Sequence, residues 1–233
     1  MKYKNIVKGI FKSRPNRFIA KVLVDGVEET VHVKNTGRCR ELLRENVTVY
    51  LEKSSNPNRK TAFDLVAVEK RREGKENLLV NMDSQIPNAA AYEWLKVENS
   101  LFSKNAKIHR EVTFGDSRFD LYVEDGERKA FVEVKGVTLE FDGLALFPDA
   151  PTERGVKHIN ELIKAKEAGF EAYILFVIQM KEICCFSPHK EMHPDFAAAL
   201  SNAYNQGVKI IAMDSVVTKD SMVIDKEVRV LLN

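Results

Sequence analysis

Arg118–Gly136, "RFDLYVEDGERKAFVEVKG", has the plan of a β-hairpin: an apolar-rich strand, a turn at Asp125-Gly126, and a second strand. Three charged residues interrupt it. Side chains alternate along a strand, so Glu133 and Lys135 face the same way, and Asp120 lies on the paired strand across the hairpin. Two carboxylates brought together at low exposure are costly unless a cation neutralises them. A hard divalent ion such as Mg²⁺ or Mn²⁺ does so through oxygen ligands, typically one or two carboxylates with water and substrate phosphate. Asp120 and Glu133 are therefore the candidate metal ligands, and Lys135 can orient the water that attacks a phosphodiester or stabilise the charge that develops there. The plain alternative is a cross-strand Glu–Lys salt bridge on a solvated sheet face.

Other candidates lie within reach of that hairpin. Glu111 sits on the preceding strand and Arg118 shares the Asp120 face. The helical stretch "ERGVKHINELIKAKEAGF" sets Arg154, His158 and Glu161 at i, i+4 and i+7 on one side. Around them the chain alternates helix and strand in the order α-β-β-β-α-β-α-β. "AYILFVI" is apolar on both faces and hence central, so a mixed α/β sheet covered by helices on both sides is expected over residues 84–233. "SQIPNAAAYEWLKVENSLF" leads into it as a helix with Ala91, Trp94, Leu95, Leu101 and Phe102 toward the core.

Residues 1–83 read differently. Five strand patterns follow one another, "FIAKVLVDG", "VEETVHVKNT", "NVTVYLEKS", "TAFDLVAVEKR" and "ENLLVNMD", with a short helix-like piece, "CRELLREN", after the second. A five-stranded OB-like barrel is the economical closed form for this length and leaves no long exposed edge; an SH3-like barrel is the alternative. The fold class expected is thus α/β (α+β overall), an OB-like β-barrel followed by a mixed α/β domain. Charge divides at the same place. Residues 1–83 hold 18 Lys and Arg against 11 Asp and Glu, net +7, whereas residues 84–233 hold 18 against 23, net −5. A basic module attracts a polyanion. Its basic runs are "FKSRPNRF", with Arg14 and Arg17 between Phe11 and Phe18, and "KNTGRCRELLR", with Lys34, Arg38 and Arg40; basic residues interleaved with aromatics suit phosphate contact and base stacking. Arg118 and Arg154 extend that set into the second half.

The sequence also excludes several classes. No apolar run is long enough to cross a bilayer and the opening residues lack a signal-peptide pattern, so a cytoplasmic protein with no membrane partner is expected. Cys39 stands alone while Cys184 and Cys185 adjoin in an apolar run, spacing that fits neither a disulfide framework nor a zinc site and reads as buried thiols. His32, His109, His189 and His193 have no ligand-like spacing. No helix-turn-helix or zinc-finger pattern is present to read a specific operator.

An upstream Asp followed by Glu133-x-Lys135 within this element order resembles the PD-(D/E)xK nuclease superfamily, with Phe119 where many members have Pro. That resemblance implies a restriction-endonuclease-like domain with Asp120 and Glu133 on the metal and Lys135 as third catalytic member. A closer one is carried by "VKNTGRCREL", "IPNAAAYEWL", "REVTFGDSRFDLYV", "FVEVKGVTL", "FPDAPTERGVKHINEL" and "ILFVIQM…FSPHKEMHPDFAAAL", six blocks in order that resemble the sugar fermentation stimulation protein family, SfsA. It implies an N-terminal OB domain, a nuclease-like second domain, DNA binding without strong sequence preference, and a regulatory connection with maltose metabolism. Three function classes stay open: a DNA-binding regulator, a Mg²⁺-dependent nuclease acting on DNA or RNA, and a small-molecule sensor.

Overall fold

The computed structural model describes residues 1–35, 37–56, 58–97 and 101–232. Six strands come first: β1 (Ile6–Asn16), β2 (Ile19–Val24), β3 (Val27–Val33), β4 (Thr48–Lys53), β5 (Phe63–Lys70) and β6 (Leu78–Asn81). They pair in the order β3-β2-β1-β4-β5-β6. A short parallel contact of β3 with β5, at His32↔Asp64 and Val33↔Leu65, closes β1–β5 into a barrel and leaves β6 as an extension on β5. Alternation fills the inside: Ala20, Val22, Val31, Val49 and Leu51 are buried between more exposed strand neighbours, whereas β5 is buried on both faces from Phe63 to Val68.

The barrel has the expected five strands, but with different members. β1 carries Phe11 inward between Lys8 and Lys12, and the basic run that hides it in the sequence is the strand itself. "ENLLVNMD" forms β6, outside the closure. "CRELLREN" forms turns rather than a helix. Eight residues are too few to sustain an isolated helix, and Cys39 and Asn46 at its two ends take left-handed φ of 44° and 64°.

The second half comprises α1 (Ile86–Lys96), β7 (Lys107–Phe114), β8 (Ser117–Asp125), β9 (Arg128–Val137), β10 (Leu139–Phe141), β11 (Leu144–Phe147), α2 (Glu153–Glu167), β12 (Glu171–Ile178), β13 (Cys185–Pro188), α3 (Pro194–Asn205), β14 (Lys209–Thr218) and β15 (Ser221–Val230). One sheet takes in all nine strands in the order β10-β11-β13-β15-β14-β12-β9-β8-β7. β12 is central and parallel to both neighbours, β9 and β14. Its two faces meet two cores. Ala172, Ile174, Phe176 and Ile178 pack with α2 and α3, whereas Tyr173, Leu175 and Val177 pack with Ile86, Ala90, Ala91 and Leu95 of α1. The helix-covered mixed sheet is as expected. The short strands β10, β11 and β13 and the final strand β15 are additions to it.

Of the positions expected to be buried around α1, Ala91, Leu95 and Phe102 are, and Trp94 is half-buried. Residues 98–100 of that stretch lie outside the described residues. The thiols differ from expectation. Cys39 is buried, and burial pushes it up to about 12, but Cys184 is exposed and Cys185 half-buried, because β13 begins only at Cys185, near the sheet edge. Their sulfurs stand 3.3 Å apart.

Barrel and sheet are joined by buried hydrogen bonds at the end of β12. Gln179 donates through Nε2 to the carbonyls of Asn81 at 3.1 Å and Asp83 at 3.2 Å, and its own carbonyl accepts from the Asn81 amide at 3.0 Å. Among the described residues no helix is long and apolar enough to cross a membrane.

Candidate functional site

The β8–β9 ladder runs from Asp125↔Arg128 to Leu121↔Val132 and then stops. At that point the Asp120 side chain takes over from the missing ladder bond. Its Oδ2 accepts the Val134 backbone N–H at 2.8 Å, and its Oδ1 accepts from Asn88 Nδ2 of α1 at 2.6 Å. A carboxylate is thus fixed by backbone and helix where the strands part. Glu133, on the next strand and 3% exposed, faces the α2 side together with Phe131 and Lys135.

Glu133 is held from one side only. Its Oε1 accepts from Lys135 Nζ at 2.6 Å and from Nδ1 of His158, which reaches in from α2. His158 Nε2 in turn accepts from Arg154 Nε at 3.3 Å, so a neutral imidazole with its proton on Nδ1 satisfies both partners. Phe119 packs against the same imidazole, ring centroids 6.2 Å apart. The other Glu133 oxygen, Oε2, is buried and has no hydrogen-bond partner.

The two carboxyls are pulled in opposite directions. Burial pushes Asp120 above the usual carboxylate range, and the neighbouring Glu133 charge adds to it. For Glu133 burial acts upward as well, but the His158 and Lys135 hydrogen bonds outweigh it and hold the group below its usual value. The Glu133–Lys135 ion pair that the sequence allows is present, yet with Glu133 buried and Lys135 half-buried it does not lie on a solvated face.

Among the described residues no three His, Cys, Asp or Glu side chains form a ready-made metal cage. Two carboxylates with one unpartnered buried oxygen nevertheless match Mg²⁺, which usually keeps several waters and takes only one or two protein carboxylates with substrate phosphate. Asp120 and Glu133 are the residues that would hold it.

Two family profiles cover most of the chain. Residues 13–82 match the SfsA N-terminal OB domain, and residues 85–221 match the sugar fermentation stimulation protein RE domain. The chain belongs to the sugar fermentation stimulation protein family. It is 58% identical over 222 residues to a sugar fermentation stimulation protein homolog of Desulfitobacterium hafniense (strain Y51), covering 95% of this chain and 94% of that one. A homolog from Ruminiclostridium cellulolyticum is 53% identical over 232 residues, 100% of each chain. The fold is similar to that of Pyrococcus furiosus SfsA, solved in complex with Ca²⁺, with a TM-score of 0.87, 28% identity, and 99% and 98% of the two chains covered.

In this SfsA-family chain the candidate residues fall into four places. Asp120, Glu133, Lys135, His158 and Arg154 are together, as described. Glu111, at φ 58°, carries its carboxylate outward to within 3.4 Å of Arg118, and both side chains are largely exposed outside that cluster. Glu161 also turns away, accepting the Asp116 amide at 3.3 Å and pairing with Lys164 at 2.6 Å.

On the barrel, Arg14, Arg17, Arg38 and Arg40 line one open cleft of about 480 Å³. Arg14 is committed to structure there. Its Nη1 donates to the carbonyls of Gly37 and Arg38, and its Nη2 to those of Arg17 and Asn35, all at 2.7–2.9 Å. Lys34 is likewise engaged, 3.0 Å from Asp83 and 3.9 Å from Asp64 and Glu52. Arg17 lies over the exposed ring of Phe18 at 5.2 Å. Arg14→Met is accordingly expected to lower stability by about 2 kcal/mol, since four carbonyls lose one charged donor group. Urea denaturation measures it.

Asn88 was not among the sequence candidates, although it fixes Asp120. Its signal was its place in "IPNAAAYEWL", one residue beyond the Pro that starts α1.

Proposed function

We propose that this protein binds DNA through its backbone phosphates, without sequence preference, and that the Asp120–Glu133–Lys135 centre hydrolyses phosphodiesters with Mg²⁺ or Mn²⁺. The observation that carries the reading is the pair of carboxylates at the parting of β8 and β9, Glu133 buried and Asp120 half-buried, with Glu133 Oε2 unpartnered and Lys135 at 2.6 Å. When bound, the divalent ion supplies charge neutralisation and polarises the phosphate. The chain's own groups do the rest. Asn88 and the Val134 amide fix Asp120, and His158 holds Glu133 in one orientation. Lys135 offers a positioned cation to the attacking water or to developing negative charge. Arg154, exposed at the first turn of α2, is placed to meet a neighbouring phosphate. That P. furiosus SfsA was solved in complex with Ca²⁺, a hard cation that oxygen ligands bind, supports a divalent cation in a chain of this fold.

The test is incubation with end-labelled single-stranded, duplex and branched DNA with Mg²⁺, Mn²⁺ or EDTA. Metal-dependent product supports the reading; binding without any product leaves a DNA-binding protein with a regulatory role in sugar metabolism, the family's namesake, and overturns the nuclease. Salt separates contacts from chemistry. With Arg14 and Lys34 engaged internally, Arg17, Arg38 and Arg40 remain on the barrel cleft, so log affinity is expected to fall with log salt with a slope of about −2 to −3. A slope near zero in a fluorescence-anisotropy titration contradicts phosphate binding by this cleft.

A further inference from the structure

We infer that the substrate is a single strand, led from the arginine cleft of the barrel along the Phe147–Thr152 loop to the carboxylate centre. The inference rests on the reading above and names its substrate class. Two clefts share that loop. The first, about 480 Å³, is lined by Arg17, Arg38, Arg40 and Ala150. The second, about 110 Å³, is lined by Asn35 and Ser84 on the barrel side and by Gly136 and Asp149 on the sheet side. Gly37 and Asn35, and Ala150 and Asp149, are near neighbours in sequence, so the clefts adjoin across the barrel–sheet boundary. Gly136 follows Lys135 in β9 but faces the other way, toward Pro87 of α1, so the link to the centre runs through Arg154, which lies in the first turn of α2 four residues after Ala150 with its guanidinium bonded to the imidazole that holds Glu133. The basic groups therefore form a path, Arg38 and Arg40 to Arg154 to Lys135, with its end at the chemistry.

Access decides between one strand and two. Glu133 is 3% exposed and His158 6%, and neither lines the two clefts, so a phosphate reaches them only if its backbone bends sharply, which a single strand does far more readily than a stiff duplex. The mouth suits unstacked bases as well. Phe18 is 47% exposed with the Arg17 guanidinium over its ring, an aromatic and cationic platform on which a base can stack. The loop's one acidic residue, Asp149, stands beside Gly37, where phosphate is disfavoured, so a strand is expected to present bases rather than phosphate to it.

The experiment is fluorescence anisotropy in EDTA, which isolates binding from turnover, using a labelled 16-nucleotide DNA strand, its blunt duplex and the same strand as RNA. The single strand is expected to bind the wild type at least tenfold more tightly than the duplex. Phe18→Ala is expected to weaken the single strand by about fivefold or more while leaving the duplex within twofold. Arg38→Glu with Arg40→Glu should weaken it further, and circular dichroism verifies that the variants fold. A 5-bromodeoxyuridine strand should photocrosslink to peptides spanning 147–154. Duplex binding equal to or tighter than single-strand binding overturns the inference, as do crosslinks confined to other segments. Equal affinity for the RNA strand supports it and widens the substrate to either nucleic acid. Because no metal is present, loss of the hydrolysis reading leaves this result standing, and the reverse also holds.

Discussion

Replacing Lys135 by alanine is expected to lower Mg²⁺-dependent DNA cleavage by on the order of 10²–10³-fold while changing affinity for the same DNA in EDTA by less than about threefold. The asymmetry follows from where the ammonium is. Lys135 Nζ lies 2.6 Å from Glu133 Oε1 on a face closed by α2, so it contributes little to a ground-state contact with the polyanion outside. Its charge is fixed at low exposure, where electrostatic interactions are strong and little reorganisation is needed as charge develops on the reacting phosphate. Arginine is not expected to rescue. The planar fork is larger than an ammonium and has to fit between Glu133 and the packed rings of Phe119 and His158. Single-turnover rates with saturating DNA measure the chemical step. If binding in EDTA falls in proportion to rate, Lys135 holds phosphate and has no separate part in the chemistry.

The carboxylate–lysine centre could be read from the sequence because it depends on the period of a strand, which is local. Glu133 and Lys135 share a face whatever lies around them, and Asp120 is brought opposite Glu133 because each lies five residues from the Asp125–Arg128 pair at the turn. What could not be read was the list of partners. Arg14 and Arg17 look alike in "FKSRPNRF", yet one guanidinium is folded into four carbonyls and the other rests on Phe18; only the closure of the barrel tells them apart. Lys34 was hidden in the same way by Asp83, 49 residues away. Strand β1 was obscured because its second half, from Phe11 to Asn16, lies within "FKSRPNRF", whose basic residues read as a binding run. β15, with Asp225, Lys226 and Glu227 in succession, was masked by exposure on a strand whose buried side is only Met222, Ile224 and Val228. Elements with one buried face and a charged one are legible only when the pattern runs long enough, and β10, β11 and β13 span three or four residues each.

The two carboxylates of the centre should respond to substitution in opposite directions when no metal is present. Glu133→Ala removes the acceptor that both Lys135 and His158 use, leaving a part-buried ammonium and a buried imidazole without it; a loss of about 3 kcal/mol is expected, a fall in Tm of roughly 6–12 °C for a chain of this size. Asp120→Asn keeps an oxygen for the Val134 amide and puts an NH2 toward Asn88, whose side-chain amide turns over to accept from it, and it deletes the charge that burial and Glu133 make unfavourable. It should leave the metal-free melt unchanged or raise it. The pH dependence follows from the same shift. Because Asp120 titrates higher in the folded protein than in the unfolded chain, its penalty is absent below the unfolded value near 3.8 and complete above the raised one, so wild-type stability falls as pH rises through that interval and the advantage of Asp120→Asn grows with it. Glu133 works the other way. Held below its usual 4.5, it contributes stability that is full above that value and is lost on acidification through its lowered folded value, and this part should vanish in Glu133→Ala. Mg²⁺ should then raise the wild-type Tm and leave both variants unmoved, since each lacks one of the two ligands. Calorimetric melts of the three proteins between pH 4 and 8, with Mg²⁺ and with EDTA, measure all of this. An Asp120→Asn variant that melts lower than wild type in EDTA at pH 7, together with no Mg²⁺ shift in wild type, makes the pair a structural salt-bridge network rather than a cation site.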